Sequence, residues 1–350
     1  MPVDWELAQR TAARVSGEEP YSQSYLASTL ESDFEEFTAQ AEELVTQYTG
    51  LTPLKGRARA RVIGRSEWVA VNTRAFERLL GPLFEKLGSD GSFTRRVTGL
   101  QLGTVLGWMS RRVLGQYDLL VVEDENPEDQ DIVYYVGPNV LALEKRHDFP
   151  PREFRLWLAV HEVTHRAQFT GVPWMRDHFL SLVKQTVDSL DPDPERMMRA
   201  LRRIRASRSD GSNVLEDGGL ASLFATDEQR QVMDQIAGLM SLLEGHGDTT
   251  MNRVSEDFIP AGERFHRVLH ERRTNPNTTA RIFQKLIGME AKMAQYIQGE
   301  AFIEFVEEAG GKRVLDHAWA AAENLPSMDE IREPQLWIER VVEPAQLLSS

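Results

Sequence analysis

The stretch LAVHEVTHR, residues 158–166, contains two histidines four positions apart, His161 and His165, and Glu162 follows the first of them directly. On an α-helix this spacing turns two side chains by about 40° and displaces them by about 6 Å, so both imidazoles can bind one tetrahedral ion. Glu162 can then reach a metal-bound water without binding the metal itself. We therefore predict a zinc site with His161 and His165 as ligands and Glu162 as the general base.

Apolar residues around this motif predict a helix that is covered on two sides. Two stripes at helical spacing, one of which includes both histidines, are formed by Phe154, Leu156, Trp157, Leu158, Val160, Val163 and Ala167. Two buried imidazoles without partners would be costly, and a bound metal removes that cost. The alternative is a metal-free helix with two core histidines and an ion pair between Glu162 and Arg166, four residues apart.

The composition predicts an ordinary globular protein, because 350 residues with 41% hydrophobic content suffice for a well-buried core. The formal charge of −14 argues against nucleic-acid and anionic membrane partners. Since the chain has no cysteine, any zinc must be held by histidine and carboxylate ligands. The start Met1–Glu6 has no secretory signal character and no long apolar run follows, so we expect a soluble, cytoplasmic protein. The oligomeric state is left open.

Secondary-structure signals predict a mainly α-helical protein with a small β-sheet (α+β). Residues 1–100 are expected to form a helical N-terminal region, with helices over Ser22–Tyr48 and from Asn72-Thr73 to about Leu87. Residues 101–350 are expected to form a catalytic region in one compact unit.

A glycine stripe marks the segment Thr98–Leu114, in which Gly99, Gly103 and Gly107 recur at every fourth position. A small residue on each turn lets another backbone approach closely. The segment is short and ends at Arg111-Arg112, so it predicts a packed soluble helix rather than a membrane dimerisation motif.

Three β-like runs precede the motif helix: Asp118–Val122, Ile132–Val136 and Asn139–Leu143. They predict a small sheet on which the motif helix packs, with an edge that could bind an extended peptide by strand addition. Further along, the stretch Ser207–Gly219 is either a surface connection or a mobile loop over the site.

A catalytic zinc needs a third protein ligand, and the segment LLEGHGD at residues 242–248 offers Glu244 and His246. The segment ends an amphipathic helix; Glu244 lies on the flank of its apolar stripe and His246 within it, so geometry alone leaves both open. Two features favour Glu244. Gly245 permits close approach of two helices, and Asp248 could accept the free N–H of a ligating imidazole.

A second segment, LIGMEAKMAQYI at residues 286–297, places Glu290 on an apolar helix face. Such a buried carboxylate could bind the metal, the substrate's amino terminus, or a cation such as Lys292, and a structural ion pair is the commonest reason for one. Tyr296 could stabilise the oxyanion of a tetrahedral intermediate or could simply pack.

One further histidine pair, His266 and His270, shares the four-residue spacing. It has no acid after the first histidine and lies among arginines, which oppose binding of a divalent cation. This pair is therefore predicted to lie on a solvated helix face.

Together these segments resemble known zincins. The combination of His161-Glu162-x-x-His165 with the later Glu244-Gly245 resembles the glutamate zincins, in which a glutamate on a second helix completes the zinc site. More closely, RVLGQYD at 112–118, LEGHG at 243–247 and GMEAKMAQY at 288–296 resemble an uncharacterised zincin-like metallopeptidase family, often labelled as associated with deazaflavin coenzyme biosynthesis. This resemblance spans roughly Val62 to Val341. It implies a zincin-type fold and a zinc hydrolase, and it implies no substrate.

The sequence thus predicts a zinc-dependent hydrolase, by default a metallopeptidase that cleaves peptide or other amide bonds. The alternative is a non-catalytic zincin-fold accessory or binding protein in a coenzyme biosynthesis pathway. In that case a fourth protein ligand, for which His246 is the obvious supplier, would close the metal site.

Overall fold

The computed structural model describes residues 3–19, 21–54, 56–86, 92–119, 131–189, 226–274 and 289–344. These residues are mainly helical and include one small sheet, so the predicted fold class is confirmed. The longer helices are α1 (Trp5–Ser16), α2 (Leu30–Thr49), α3 (Arg65–Lys86), α4 (Ser92–Ser110), α5 (Gly137–His147), α6 (Pro151–Gly171), α7 (Met175–Ser189), α8 (Asp227–Phe258), α9 (Gly262–Thr274) and α10 (Met289–Gly310). Three short helices follow: α11 (Asp316–Ala320), α12 (Met328–Arg332) and α13 (Pro334–Trp337).

The chain forms two compact units. The first comprises Met1–Arg176 with Gly247–Arg267 and contains the sheet and α6. The second comprises Asp177–His246 with Val268–Ser350 and contains α7 and α10. Helix α8 is unbroken and contributes residues to both.

The sheet has three strands in the order β1 (Arg59–Ile63), β3 (Ile132–Val136) and β2 (Gly115–Tyr117). β1 runs parallel to β3, and β2 runs antiparallel to it with Gly115 opposite Tyr135. Every residue of β3 is buried, as expected for an apolar central strand. The predicted strand Ile132–Val136 is therefore confirmed.

Two other strand predictions need correction. The strand expected at Asp118–Val122 is not found where it was predicted: β2 comprises Gly115–Tyr117, Asp118 and Leu119 follow it outside any strand, and residues 120–122 lie outside the described residues. The strand expected at Asn139–Leu143 is wrong, because these residues belong to α5. Pro138 lies in the first turn of that helix, where its fixed φ and missing N–H favour a helix start.

Helix boundaries also differ from the sequence prediction. Asn72 and Thr73 lie inside α3, and their side chains donate to the carbonyls of Trp68 and Val69 one turn earlier instead of capping a helix. The helix predicted to end near Asp248 continues to Phe258. β1 was not predicted at all.

Each face of the sheet is covered. On one face Ile132, Tyr134 and Val136 join a core with residues of α3 and α4, including Trp68 and Leu106. On the opposite face, β2 and β3 pack against α6, and β1 against α2. The sheet is therefore a buried layer between two layers of helices, and α6 lies directly on it.

On the α6 face, Tyr135 is tied to α2. Its ring stacks on Phe34 at 3.8 Å between centroids, and its hydroxyl shares a 2.7 Å hydrogen bond with Thr38. Burial raises the pKa of Tyr135, so its hydroxyl stays neutral.

The predicted close approach at the glycine stripe is confirmed. A Cβ at Gly103 or Gly107 of α4 would collide with the backbone of Ala8 or Ala12 in α1. Gly99 is likewise opposed by the carbonyl of Asp4. Within the described ranges, no helix is both long enough and apolar enough to cross a membrane.

Candidate metal centre

Helix α6 carries the His-Glu-x-x-His motif and is tied to its surroundings near its first turns. The guanidinium of Arg155 donates to both carboxylate oxygens of Glu144 at 2.8 and 3.0 Å, and to Asp33 at 2.5 Å. Arg155 is itself buried. A buried cation with two carboxylate partners strongly resists displacement, so this end of α6 is fixed against α2 and α5.

Arg166 anchors the other half of the helix. Its fully buried guanidinium donates to Asp131 at 3.0 and 2.7 Å, to Glu42 at 2.7 Å and to the carbonyl of Gly56. Tyr117 donates to the same Asp131 at 3.2 Å. The metal-free alternative assigned Arg166 to Glu162, but two carboxylates from other segments already balance its charge.

The two motif histidines face each other through the nitrogens that would bind a metal. Their Nε2 atoms are 3.2 Å apart, and the ring planes are nearly perpendicular at 84°. Two imidazole nitrogens at tetrahedral zinc, each about 2.0–2.1 Å from the ion, lie about 3.3 Å apart. The His161–His165 pair therefore fits such an ion.

The second nitrogen of each ring faces an oxygen. Nδ1 of His165 is 3.0 Å from Oε1 of Gln168, and Nδ1 of His161 is 4.0 Å from Oδ1 of Asp248. Gln168 and Asp248 are both buried. Asp248 was predicted to orient a ligating imidazole; its separation of 4.0 Å from Nδ1 of His161 is longer than a hydrogen bond, so that role stays a prediction. Gln168 was not predicted, although its position three residues after His165 on one helix could have indicated it.

Glu244 joins the two histidines. His161, His165 and Glu244 each offer a ligand atom, and these atoms all lie within 4.8 Å of one another; among the described residues this is the group that could hold a metal. Glu244 precedes Asp248 by four residues on the unbroken helix α8, so both share one side of it.

His246 lies elsewhere. Two residues along a helix correspond to a turn of about 200°, so Glu244 and His246 point to different sides of α8. The buried ring of His246 packs against Trp319 at 5.2 Å between centroids. The structure thus groups Glu244, and not His246, with the histidine pair.

Two glycines of α8 allow close packing. A Cβ at Gly245 would collide with the backbone of Gly299 and Glu300 in α10, which confirms the predicted close approach of two helices. A Cβ at Gly247 would lie 3.4 Å from two ring atoms of His161 and 3.5 Å from one of His165. Gly247 therefore lets the two imidazoles lie directly against α8.

The carboxylate of Glu162 lies against strand β2. Glu162 is 6% exposed, and a Cβ at Gly115 would come within 2.5 Å of its Oε1. Gly115 belongs to the segment that carried the family resemblance, but sequence reasoning gave it no role.

Some predicted residues fall outside what the structure describes. Glu290 and Tyr296 lie in α10, but their side chains are not among the described ones, and the same holds for Lys292. The stretch Ser207–Gly219 also lies outside the described residues. The roles suggested for all of these stay predictions.

Two comparisons with known proteins bear on this centre. A family model described as zincin-like metallopeptidase matches residues 3–338. A crystal structure from Chloroflexus aurantiacus, titled as a putative hydrolase with a novel fold, is 30% identical with a TM-score of 0.72, and the match covers 97% of this chain and 98% of that chain. No curated protein matches. The family and the solved structure both support a hydrolase.

Proposed function

The chain belongs to the zincin-like metallopeptidase family, and from that premise we propose that it is a zinc-dependent hydrolase that cleaves peptide bonds. His161, His165 and Glu244 are the proposed zinc ligands, and Glu162 is the proposed general base. The observation that carries this proposal is the group of three ligand atoms within 4.8 Å of one another, with the buried Glu162 directly after His161 on α6.

The donor set fits zinc. Two imidazoles and one carboxylate form one of the ligand sets of catalytic zinc, and three protein ligands leave the fourth position of a tetrahedral ion open. The 3.2 Å separation of the two Nε2 atoms also agrees with a shared ion. When bound, zinc supplies a Lewis acid that polarises the scissile carbonyl and lowers the pKa of a water molecule.

Glu162 would move the proton. As water adds to the carbonyl carbon, the carboxylate takes a proton from it, and the same proton passes to the leaving amine as the C–N bond breaks. This role needs a carboxylate held in one place. Burial of Glu162 against the backbone of Gly115 meets that need, and Arg166 is engaged by Asp131 and Glu42 instead.

The edge of β2 favours a peptide over other amides. Leu114 accepts from Val136, and Asp118 donates to Ile132, at 2.8 and 3.1 Å. Alternate residues of an antiparallel pair bond to the neighbouring strand, so Gly115 directs its N–H and C=O groups, and Tyr117 its N–H, away from β3, while the carbonyl of Tyr117 accepts from Leu119. Among the described residues β2 pairs with β3 alone. An extended peptide that adds to this edge would pass beside Glu162.

The accessory-protein alternative depends on a fourth protein ligand, and in the described ranges the group that could hold a metal has three members. His246, the expected supplier, packs against Trp319. The absence of nucleic-acid and membrane partners, and the cytoplasmic location, stay predictions.

A cleavage screen tests the proposal. Zinc-loaded wild-type protein and Glu162→Gln are incubated with a peptide library, and products are read by mass spectrometry. We expect cleavage by the wild type and a loss of about 10²- to 10⁴-fold in the variant. The matched control is Glu263→Gln, which removes an exposed carboxylate of α9. Equal cleavage by Glu162→Gln, or no cleavage by a zinc-containing wild type, would contradict the proposal.

A further inference from the structure

We propose that Gln168 is a positioning residue for His165. Its side-chain carbonyl accepts the Nδ1 proton and thereby selects the tautomer whose Nε2 lone pair faces the metal. This inference rests on the proposed zinc site. It adds a residue outside the His-Glu-x-x-His motif to that site.

The direction of the hydrogen bond follows from the atoms in contact, because an amide oxygen can only accept. Oε1 of Gln168 is 3.0 Å from Nδ1 of His165, and Nε2 of the same ring is 3.2 Å from Nε2 of His161. A neutral imidazole carries one proton, so an Nδ1–H that donates to an amide oxygen leaves Nε2 as the acceptor. That acceptor is the atom that the proposed site requires.

The surroundings hold the amide in place. Gln168 is fully buried and lies three residues after His165, a spacing at which side chains meet on one helix face. Arg166, two residues before Gln168, fixes this half of α6 through Asp131 and Glu42. A bound amide in a rigid helix loses little further freedom when the metal binds.

The two histidines face different kinds of oxygen. His161 faces the carboxylate of Asp248 at 4.0 Å, whereas His165 faces a neutral amide at 3.0 Å. A carboxylate partner raises the basicity of a ligating imidazole, and loss of such an orienting partner costs about 10- to 100-fold in metal affinity. Gln168→Glu is therefore expected to preserve or tighten zinc binding, and Gln168→Met, of similar shape, to weaken it.

A matched control separates this role from simple packing. Thr164 is also fully buried, precedes His165 directly, and donates to the carbonyl of Val160 at 2.7 Å. Thr164→Val removes a buried hydrogen bond of the same helix without touching the ring of His165. If Gln168 only packed, Gln168→Met and Thr164→Val would have the same effect on zinc binding.

The first measurement uses metal-free protein. Nitrogen-15 spectra of labelled histidine, recorded at alkaline pH where the imidazole is neutral, report the tautomer of His165 in the wild type and in Gln168→Met. We expect an Nδ1-protonated ring in the wild type and a shift toward the Nε2-protonated form in the variant. An unchanged tautomer would overturn the assignment of Gln168, whether or not the protein binds zinc.

The second measurement is the zinc dissociation constant, from competition with a chelator. We expect Gln168→Met to bind zinc about 10- to 100-fold more weakly, and both Gln168→Glu and Thr164→Val to bind at least as tightly as the wild type. Equal affinity in Gln168→Met, or equal weakening in Gln168→Met and Gln168→Glu, would overturn the inference and leave the proposed function intact. A wild type that binds no zinc would overturn both.

Discussion

Gly115 of β2 lies so close to Glu162 of α6 that an added Cβ would come within 2.5 Å of Oε1, 2.6 Å of Cγ and 2.7 Å of Cδ. Because three atoms of the side chain are affected, rotation of the carboxylate alone would not relieve the overlap. Strand β2 accommodates the proposed base because it has no side chain at this position.

Gly115→Ala is therefore expected to separate hydrolysis from metal binding. Displacing a reacting group by about 1 Å can cost about 10²-fold in rate, so kcat/KM should fall by that order while zinc content stays near the wild-type value. Gly81→Ala is the control, since a Cβ there meets no atom of the described side chains or backbone within 4 Å. Wild-type kcat/KM in Gly115→Ala would show that the glycine does not set the position of Glu162.

Gly247 should tolerate a methyl group and nothing larger. A Cβ at this position lies 3.4 Å from ring atoms of His161 and 3.5 Å from His165, which is ordinary contact. We expect Gly247→Ala to keep zinc, and Gly247→Leu to push the rings apart and weaken zinc binding by at least about 10-fold. Chelator competition measures both. Equal affinity in Gly247→Leu would argue against ligand rings held against α8.

Arg166 is expected to contribute to stability. Removing one partner of a buried ion pair typically costs about 3–5 kcal/mol, because the remaining charges lose their compensation. Arg166→Met should lower the free energy of unfolding by that order in a urea titration. In Arg10→Met, which removes an exposed pair with Glu6, the change should stay below about 1 kcal/mol. A small effect of Arg166→Met would mean that Asp131 and Glu42 do not depend on it.

Glu330 should make the second unit sensitive to acid. Burial raises the pKa of Glu330, but the hydrogen bonds from Arg340 and Ser327 and the charge of Arg340 together outweigh burial, so this pKa lies below its ordinary value of 4.5. A lowered folded pKa stabilises the fold above the unfolded value near 4.5 and loses that contribution as the pH falls through the folded value.

We expect thermal unfolding to show a shallower loss of stability below about pH 4.5 in Glu330→Gln than in the wild type. The loss of unfolding free energy below that pH should differ between the two proteins by at most about 1 kcal/mol, since Arg340 is partly exposed. Arg340→Gln should reduce the acid sensitivity in the same way. Identical pH profiles in all three proteins would refute the role of this pair.

The motif helix could be predicted from sequence because the same stretch shows the helical spacing of apolar residues and contains the side chains that could bind a metal. Two apolar stripes predicted the helix α6, and the His-Glu-x-x-His spacing predicted which side chains of it converge. The predictions of close helix packing at the glycines of α4 and at Gly245 were also correct, because a glycine on a helix face indicates where another backbone can approach.

Other features depend on tertiary contacts that no local pattern contains. Asn139–Leu143 is apolar enough for a strand, yet it lies in α5, which Pro138 in the first turn helps to start. Gly115 and Gln168 gain their importance from Glu162 and His165, whose positions follow only from the packed fold. The choice of Glu244 over His246 likewise depends on contacts between distant residues: the ligand atom of Glu244 groups with those of His161 and His165, and His246 packs against Trp319.

Zinc bound per chain, measured by elemental mass spectrometry, tests the central claim most directly. We predict about one zinc in the wild type, none in His161→Ala, and weakened binding in Glu244→Ala, with wild-type content in His246→Ala and Glu290→Ala. A wild type without metal after incubation with zinc would contradict the account. So would loss of zinc in His246→Ala, since that result would indicate a closed structural site.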